Sequence, residues 1–370
     1  MSTQPRIYLD YNATAPLGEA ARRAIADALA VLAGNPSSVH AEGRAARDRV
    51  ERARTQVAAL AGRARDQIVF TSGGTEANAL GVLALARHAE ALGRPRVAAT
   101  TPIEHPSLLG ALRELEARGW RVSLLAVDPD GAIRPDDAAP LGLFAAAAVN
   151  HELGNILDPG VIAWARGRGA LVHIDAVQAA GKLPLDAIDA DALALSAHKI
   201  GGPQGAGALA ITLDGGLPIH GGGHQERGRR AGTENTLGII GFGVAAAAVD
   251  LAAWPAVAEL GARLERGLRA LGARIHGAAR TGGTINAAFP GALGDAIVIA
   301  LDLAGVAAST GAACTSGSIE PSPVLLALGQ APDQAREAVR FSLGPATTAD
   351  EIDAVLALLP ALVERARQHR

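Results

Sequence analysis

With a single cysteine, Cys314, in 370 residues, the chain can form no internal disulfide and no multi-cysteine metal site. That thiol is either inert packing or the one reactive sulfur of the molecule. Aromatic residues make up only 3% of the sequence and the net charge is −3. A basic surface interleaved with stacking side chains is therefore missing, which argues against nucleic acid as a partner. Long hydrophobic runs are missing too. LGLFAAAAV at 141–149 stops far short of the roughly 18 apolar residues that span a bilayer, and the opening MSTQPRIYLDYNATAP lacks the apolar core of a signal peptide. No membrane association is expected, and the expected location is cytoplasmic. The 44 glycines gather at element ends without a fixed period, which argues against a repeat architecture.

What the chain does contain, from about residue 65 to 212, is an alternation of short β-type runs with helical stretches. The runs are QIVFTS, RVAAT, RVSLLAV, LFAAAAV, ALVHID, ALALS and GALAIT. They predict an α/β fold whose large domain has a seven-stranded, mostly parallel sheet flanked by helices. Several runs end in polar residues, at Ser72, Asn150, Asp175 and Ser196. In open α/β sheets the ligand crevice lies outside the carboxyl ends of the strands, so these positions should converge. Residues 233–272 read as helix broken near WPAV at 254–257, a passage to a second, smaller α+β domain. There GTINAAF and REAVRFSL read as strands, DAIVIALDLAG as helix, and 349–367 as an amphipathic helix.

Three segments carry candidate chemistry. IVFTSGGTEAN runs from strand through a glycine turn into a helix opening at Thr75, where unpaired N–H groups and a positive dipole end offer a phosphate site. The same letters also suit a plain tight turn with Thr75 as its cap. In LVHIDAVQAAGK, Asp175 closes an apolar strand and Gln178 follows about one turn later. A carboxylate there is either a helix cap or the partner of a cationic ring nitrogen. In ALALSAHKIGGPQG, Lys199 sits at the tip of a buried strand, flanked by Ser196 and His198, which suit an anion. It either snorkels outward or, losing its proton on burial, forms a Schiff base. A phosphate, a cationic pyridine nitrogen and an aldehyde are the three handles of pyridoxal 5′-phosphate.

With these residues in view, the chain closely resembles the cysteine desulfurases of the NifS type, within the class V aminotransferase branch of pyridoxal-phosphate enzymes of fold type I. The resemblance covers nearly the whole length and rests on YLDYNATAP (8–16), GNPSSVHAEGRAA (34–46), FTSGGTEAN (70–78), EHPS (104–107) and HIDAVQAAGK (173–182). It continues through LSAHKIGGPQGAGAL (195–209), GGGHQERGRRAGTEN (221–235), CTSGSIEPS (314–322) and RFSLG (340–344). It implies a homodimer, with a large cofactor domain over 14–255 and a small domain from 1–13 and 256–370 that carries the cysteine loop.

Residue by residue, the resemblance makes Lys199 the Schiff-base lysine, Asp175 the partner of the pyridinium nitrogen and Gln178 a donor to the ring phenolate. His105 would stack on the ring and shuttle protons. Gly74, Thr75, Ser196 and His198 would hold the phosphate, joined by Thr233 from the other subunit. Asn12, His151 and Arg340 would meet the substrate, Arg340 through its carboxylate. Cys314, on the glycine- and serine-rich loop STGAACTSGS, would be the nucleophile that takes sulfur from L-cysteine as a persulfide and releases L-alanine. The implied partners are an iron–sulfur scaffold or another sulfur-acceptor protein. No intrinsic metal is implied, though Cys314 could share a cluster with a scaffold, since one thiol cannot hold a cluster alone.

The chain departs from that pattern at VNHELGN, where His151 stands in place of the second of two asparagines, expected to touch both the cofactor ring oxygen and the substrate. Imidazole is bulkier and titrates near neutrality. Arg227, Arg229 and Arg230 are read as phosphate-site support and dimer contacts. The rival within the enzyme class is a selenocysteine lyase or another β-eliminating lyase. Outside it stand a catalytically silent assembly subunit and a nucleotide-binding protein that uses the turn at Thr75.

Overall fold

The structure, a computed structural model, describes residues 6–31, 33–136, 139–213, 221–311 and 320–368. Its strands are β1 (Ile7–Tyr8), β2 (Ile68–Thr71), β3 (Val97–Thr100), β4 (Arg121–Leu124), β5 (Ala126–Val127), β6 (Ile133–Arg134) and β7 (Leu143–Ala147). They continue as β8 (Leu171–Asp175), β9 (Ala192–Ser196), β10 (Gly207–Ile211), β11 (Arg274–His276), β12 (Thr284–Ala288), β13 (Val306–Ala307) and β14 (Ala338–Ser342). Seven of them form one sheet in the order β2-β10-β9-β8-β7-β3-β4, in which only β10 runs against its neighbours. The expected α/β fold with a seven-stranded, mostly parallel sheet is thus the observed one.

Both faces of this sheet are covered, which is why its strands read as unbroken apolar runs. Successive residues alternate between two cores. In β7, Phe144 and Ala146 join one core with Val57, Phe70 and Phe242, whereas Leu143 and Ala145 join the other with Leu85, Leu108 and Leu112. The helix Gly74–Ala91 lies over the second face, and Gly81 lets it approach: a Cβ there would stand 2.5 Å from the His173 ring. The run RVSLLAV does not stay in the sheet throughout. β4 ends at Leu124, and Ala126–Val127 instead pairs with β6 in a separate hairpin. β4 is the sheet edge, where short strands are the rule.

The expected break near WPAV falls at 248–253, between helices Thr236–Ala247 and Trp254–Ala270. Pro255 opens the second helix, where its missing N–H removes no bond. Beyond it, β11-β12-β14 form an antiparallel sheet that shares a core with helices Trp254–Ala270, Gly294–Leu303 and Ala349–Gln368. β1 pairs in parallel with β13, and Leu9 is buried in that same core. No single described helix is long and apolar enough to cross a membrane.

Candidate active site

Five parallel strands, β2, β3, β7, β8 and β9, deliver their carboxyl ends to one cavity of about 370 Å³. After β2 come Gly74 and Thr75, after β3 His105, after β7 His151, at the end of β8 Asp175 with Gln178 beyond it, and at the end of β9 Ser196 with His198 and Lys199 beyond it. Asn12 and Arg340 close it from the other side. Gly311, three positions before Cys314, also lines it, while Cys314 itself lies outside the described residues. Thr233 is not part of this chain's own cavity. It borders a small recess with Ser72, Glu226 and Arg230.

At one end, the helix Gly74–Ala91 begins at Gly73 without any side-chain cap, so Thr75 is an early helical residue facing the cavity rather than the cap. Its first-turn amides have no acceptors within the helix. Ser196 and His198 stand beside them. The His198 imidazole, whose Nδ1 is 3.1 Å from Thr14 Oγ1, is pushed down to about 4 by burial and by the Lys199 cation. An anion placed there would reverse the second effect.

At the other end, Asp175 is held on both oxygens. Oδ1 accepts from Val177 N at 3.0 Å and Oδ2 from Asn78 Nδ2 at 2.7 Å. Among the described residues no helix follows β8 before β9, so this carboxylate caps a backbone turn rather than a helix, and it lines the cavity as well. The Asn78 amide also donates to Ser107 Oγ at 3.0 Å, and its oxygen meets His173 Nε2 at 2.9 Å. Ser107 in turn contacts His105 Nδ1 through both Oγ (2.7 Å) and its main-chain N–H (3.1 Å). A ring nitrogen that accepts from Ser107 carries no proton, so the neutral His105 ring keeps its proton on Nε2. Burial lowers the His105 pKa, Lys199 adds to this, and Asp175 opposes it.

Lys199 Nζ donates to the main-chain oxygens of Asn12 (2.6 Å) and Ala13 (2.8 Å). His151 packs edge-on to His105, with ring centroids 5.1 Å apart. Burial, reinforced by His105, Arg340 and Lys199, holds its pKa well below the ordinary imidazole value. Arg340 donates through Nη2 to Asp10 Oδ1 at 2.9 Å and through Nη1 to His151 O at 3.3 Å. Two buried polar atoms at this wall, His151 Nδ1 and Arg340 Nε, have no hydrogen-bond partner among the described residues. Such orphans are costly unless a ligand meets them.

The arginine cluster faces its own chain. Arg227 and Arg229 donate to Asp66 O, and Arg230 pairs with Glu76, which accepts from Ser72 N beside the first turn of the helix. Asn78, Ser107 and His173, which brace Asp175 and His105, had no role assigned from sequence, and neither had Lys182 behind the floor. Each stands within a segment singled out for another residue. A helical spacing of three from Thr75 to Asn78, and of four from Gln178 to Lys182, was the available signal.

This donor set fits the three handles of pyridoxal 5′-phosphate: uncapped helix amides with hydroxyl and imidazole donors, a braced carboxylate, and a lysine in the same cavity. A family model, Aminotransferase class-V, matches residues 7–355. Cysteine desulfurase 2 of Trichormus variabilis is 41% identical over 98% of this chain and 94% of its own length. Among solved structures, a NifS-like protein superposes with a TM-score of 0.88 at 31% identity, covering 97% of this chain and 100% of that one. A structure titled SspA in complex with cysteine gives a TM-score of 0.76 at 28% identity, covering 92% and 100%. The chain belongs to the class V aminotransferase family, among its cysteine desulfurases.

Proposed function

We propose that the cavity binds pyridoxal 5′-phosphate on Lys199 and converts L-cysteine to L-alanine, with the sulfur leaving as a persulfide of Cys314. The observation that carries this reading is the convergence of Lys199, Asp175 and the uncapped helix start at Gly74 on one crevice. The curated relative is named for the same activity, and the SspA structure was obtained with cysteine. When bound, the cofactor supplies an electron sink for charge on the substrate α-carbon.

The chain's own groups divide the remaining work. Gly74, Thr75, Ser196 and His198 take the phosphate, with Thr233 of the partner subunit completing the site in a homodimer. Asp175 would keep the ring nitrogen protonated, Gln178 would donate to the ring oxygen, and His105 would lie against the ring and move a proton at Nε2. Asn12, His151 and Arg340 receive the substrate, Arg340 through its carboxylate. The Cys314 thiolate attacks the substrate sulfur, the carbon–sulfur bond breaks, and its electron pair stays with the carbon and is protonated to alanine. The outer sulfur then passes to a thiol acceptor, for which an iron–sulfur scaffold is our proposal. A thiol with this task needs a reducing compartment, in keeping with the cytoplasm.

The test combines two variants. The protein incubated with pyridoxal 5′-phosphate should turn yellow, be bleached by borohydride, and lose the colour in Lys199→Ala. Cys314→Ser should keep the colour and cease to form alanine from cysteine. Undiminished alanine formation in that variant would favour a β-eliminating lyase instead.

A further inference from the structure

Behind the cavity floor, one ammonium holds the oxygens of two amide side chains. Lys182 Nζ donates to Gln178 Oε1 and to Asn12 Oδ1, each at 2.9 Å, and lies 5.7 Å from the centre of the Trp254 ring. The lysine is not a cavity-lining residue, whereas both amides are. An ammonium has donors only, so it can meet an amide only at its oxygen. The NH2 groups must then face elsewhere. Gln178 Nε2 is turned to Asn12 O at 2.9 Å, and Asn12 Nδ2 to Thr284 Oγ1 at 3.0 Å and His151 O at 3.1 Å.

Either amide turned by half a rotation would place an NH2 against the ammonium. Gln178 would then offer an acceptor, and repulsion, to a ring oxygen that carries negative charge. The Asn12 main-chain oxygen, which receives Lys199 as well as Gln178, is anchored through the same contact.

We propose that Lys182 is a positioning residue for the cofactor, fixing Gln178 as a donor toward the ring oxygen and Asn12 as the seat of Lys199. This rests on the pyridoxal-phosphate reading of the cavity. Lys182 is half-buried, and even partial desolvation of a cation is a costly means of filling space. Burial together with Lys199 and Arg340 pushes the Lys182 pKa down to about 7, so the ammonium that holds both amides is fully present only below that pH. A side chain that merely packed against Trp254 would need no charge.

The test is a double-mutant cycle on Lys182→Met and Gln178→Ala, read by pyridoxal 5′-phosphate affinity and by the pH midpoint of the yellow absorbance. In the wild-type background, Lys182→Met should weaken cofactor binding about tenfold and displace the midpoint. In the Gln178→Ala background, the same change should have little further effect on either. Melting of the cofactor-free Lys182→Met protein should fall modestly, because the buried Gln178 Oε1 and Asn12 Oδ1 each lose a donor. Lys182→Gln, which keeps one donor group on a shorter stem, should fall between, and decides the matter if the methionine variant does not fold.

Additive effects, or a folded Lys182→Met protein with unaltered affinity and spectrum, would overturn the positioning role while leaving the cavity reading intact. A wild-type protein that takes up no pyridoxal 5′-phosphate would overturn the cavity reading, and this role with it.

Discussion

Asn78 Nδ2 donates to Asp175 Oδ2 at 2.7 Å, and with its other contacts the same amide ties Asp175 to Ser107 and His173. Every polar atom of the Asn78 side chain is engaged. The Asp175 carboxylate is thereby held in one orientation on the cavity wall while His105 is braced through Ser107. Replacing Asn78 by alanine leaves Asp175 and the His173 Nε2–H short of a partner. The expected cost is about 1–3 kcal/mol of stability, measured by denaturant unfolding. Pyridoxal 5′-phosphate affinity should fall about tenfold as Asp175 loses its bearing. Unchanged affinity in a destabilised variant would show that Asn78 serves the fold alone.

Glu104 lies beneath the same wall, next to His105 in sequence. Its Oε1 accepts from Thr101 Oγ1 at 2.7 Å and its Oε2 from Ala147 N at 2.8 Å. Burial, aided by the Asp175 charge, raises its pKa to about 7 from 4.5. The folded chain then binds this proton more tightly than the unfolded chain does. Its stabilising contribution is complete below pH 4.5 and is lost as pH rises through about 7. At 1.36 kcal/mol per unit the full swing is roughly 3 kcal/mol. Glutamine mimics the protonated acid in both hydrogen bonds. Glu104→Gln should match wild type near pH 5 and exceed it in stability at pH 8, by unfolding of the cofactor-free protein at both values.

His151 tests whether the departure from the asparagine pattern introduces a titrating group. With its pKa well below 6.5, the ring is neutral across the working range and acts as a fixed donor and acceptor. His151→Asn should therefore leave the acid limb of the kcat/KM profile between pH 6 and 8 where it was, while changing the KM for cysteine. Loss of an acid limb in the variant would show that the imidazole gains a proton once substrate is present.

The large sheet was legible because both its faces are buried, so each strand announces itself as an apolar run, and its polar ends mark the crevice. RVSLLAV misled as a single strand because pairing at an edge is decided by neighbours that a local pattern does not contain. Lys199, Asp175 and Thr75 could be found because each stands where its chemistry is costly or exposed. Asn78, Ser107 and Lys182 are harder to read, because a local spacing places them beside Thr75, His105 and Gln178 while their contacts to Asp175, to Asn78 and to Asn12 span separations that no local period records. Thr233 borders a different recess of its own chain, so the phosphate contact proposed for it depends on a second copy.

Arg340 already holds one carboxylate, that of Asp10. Its side chain is 4% exposed, and Asp10, already paired with it, is 18% exposed. If Arg340 receives the substrate carboxylate, as proposed, that group shares the guanidinium with Asp10 and takes the Nε face, which has no partner among the described residues. Five donors on a rigid fork allow this, whereas a lysine ammonium at the same place would stay with Asp10. Arg340→Lys should raise the KM for cysteine by about 10–100-fold, in line with loss of a charge-assisted bidentate pair, with kcat less affected. Asp10→Asn removes the competing carboxylate and should act in the opposite direction, lowering KM, while destabilising the substrate-free protein by leaving a buried cation unpaired. Steady-state kinetics of both variants check the pair. If Asp10→Asn instead raises KM as Arg340→Lys does, Asp10 aims the guanidinium rather than competing for it.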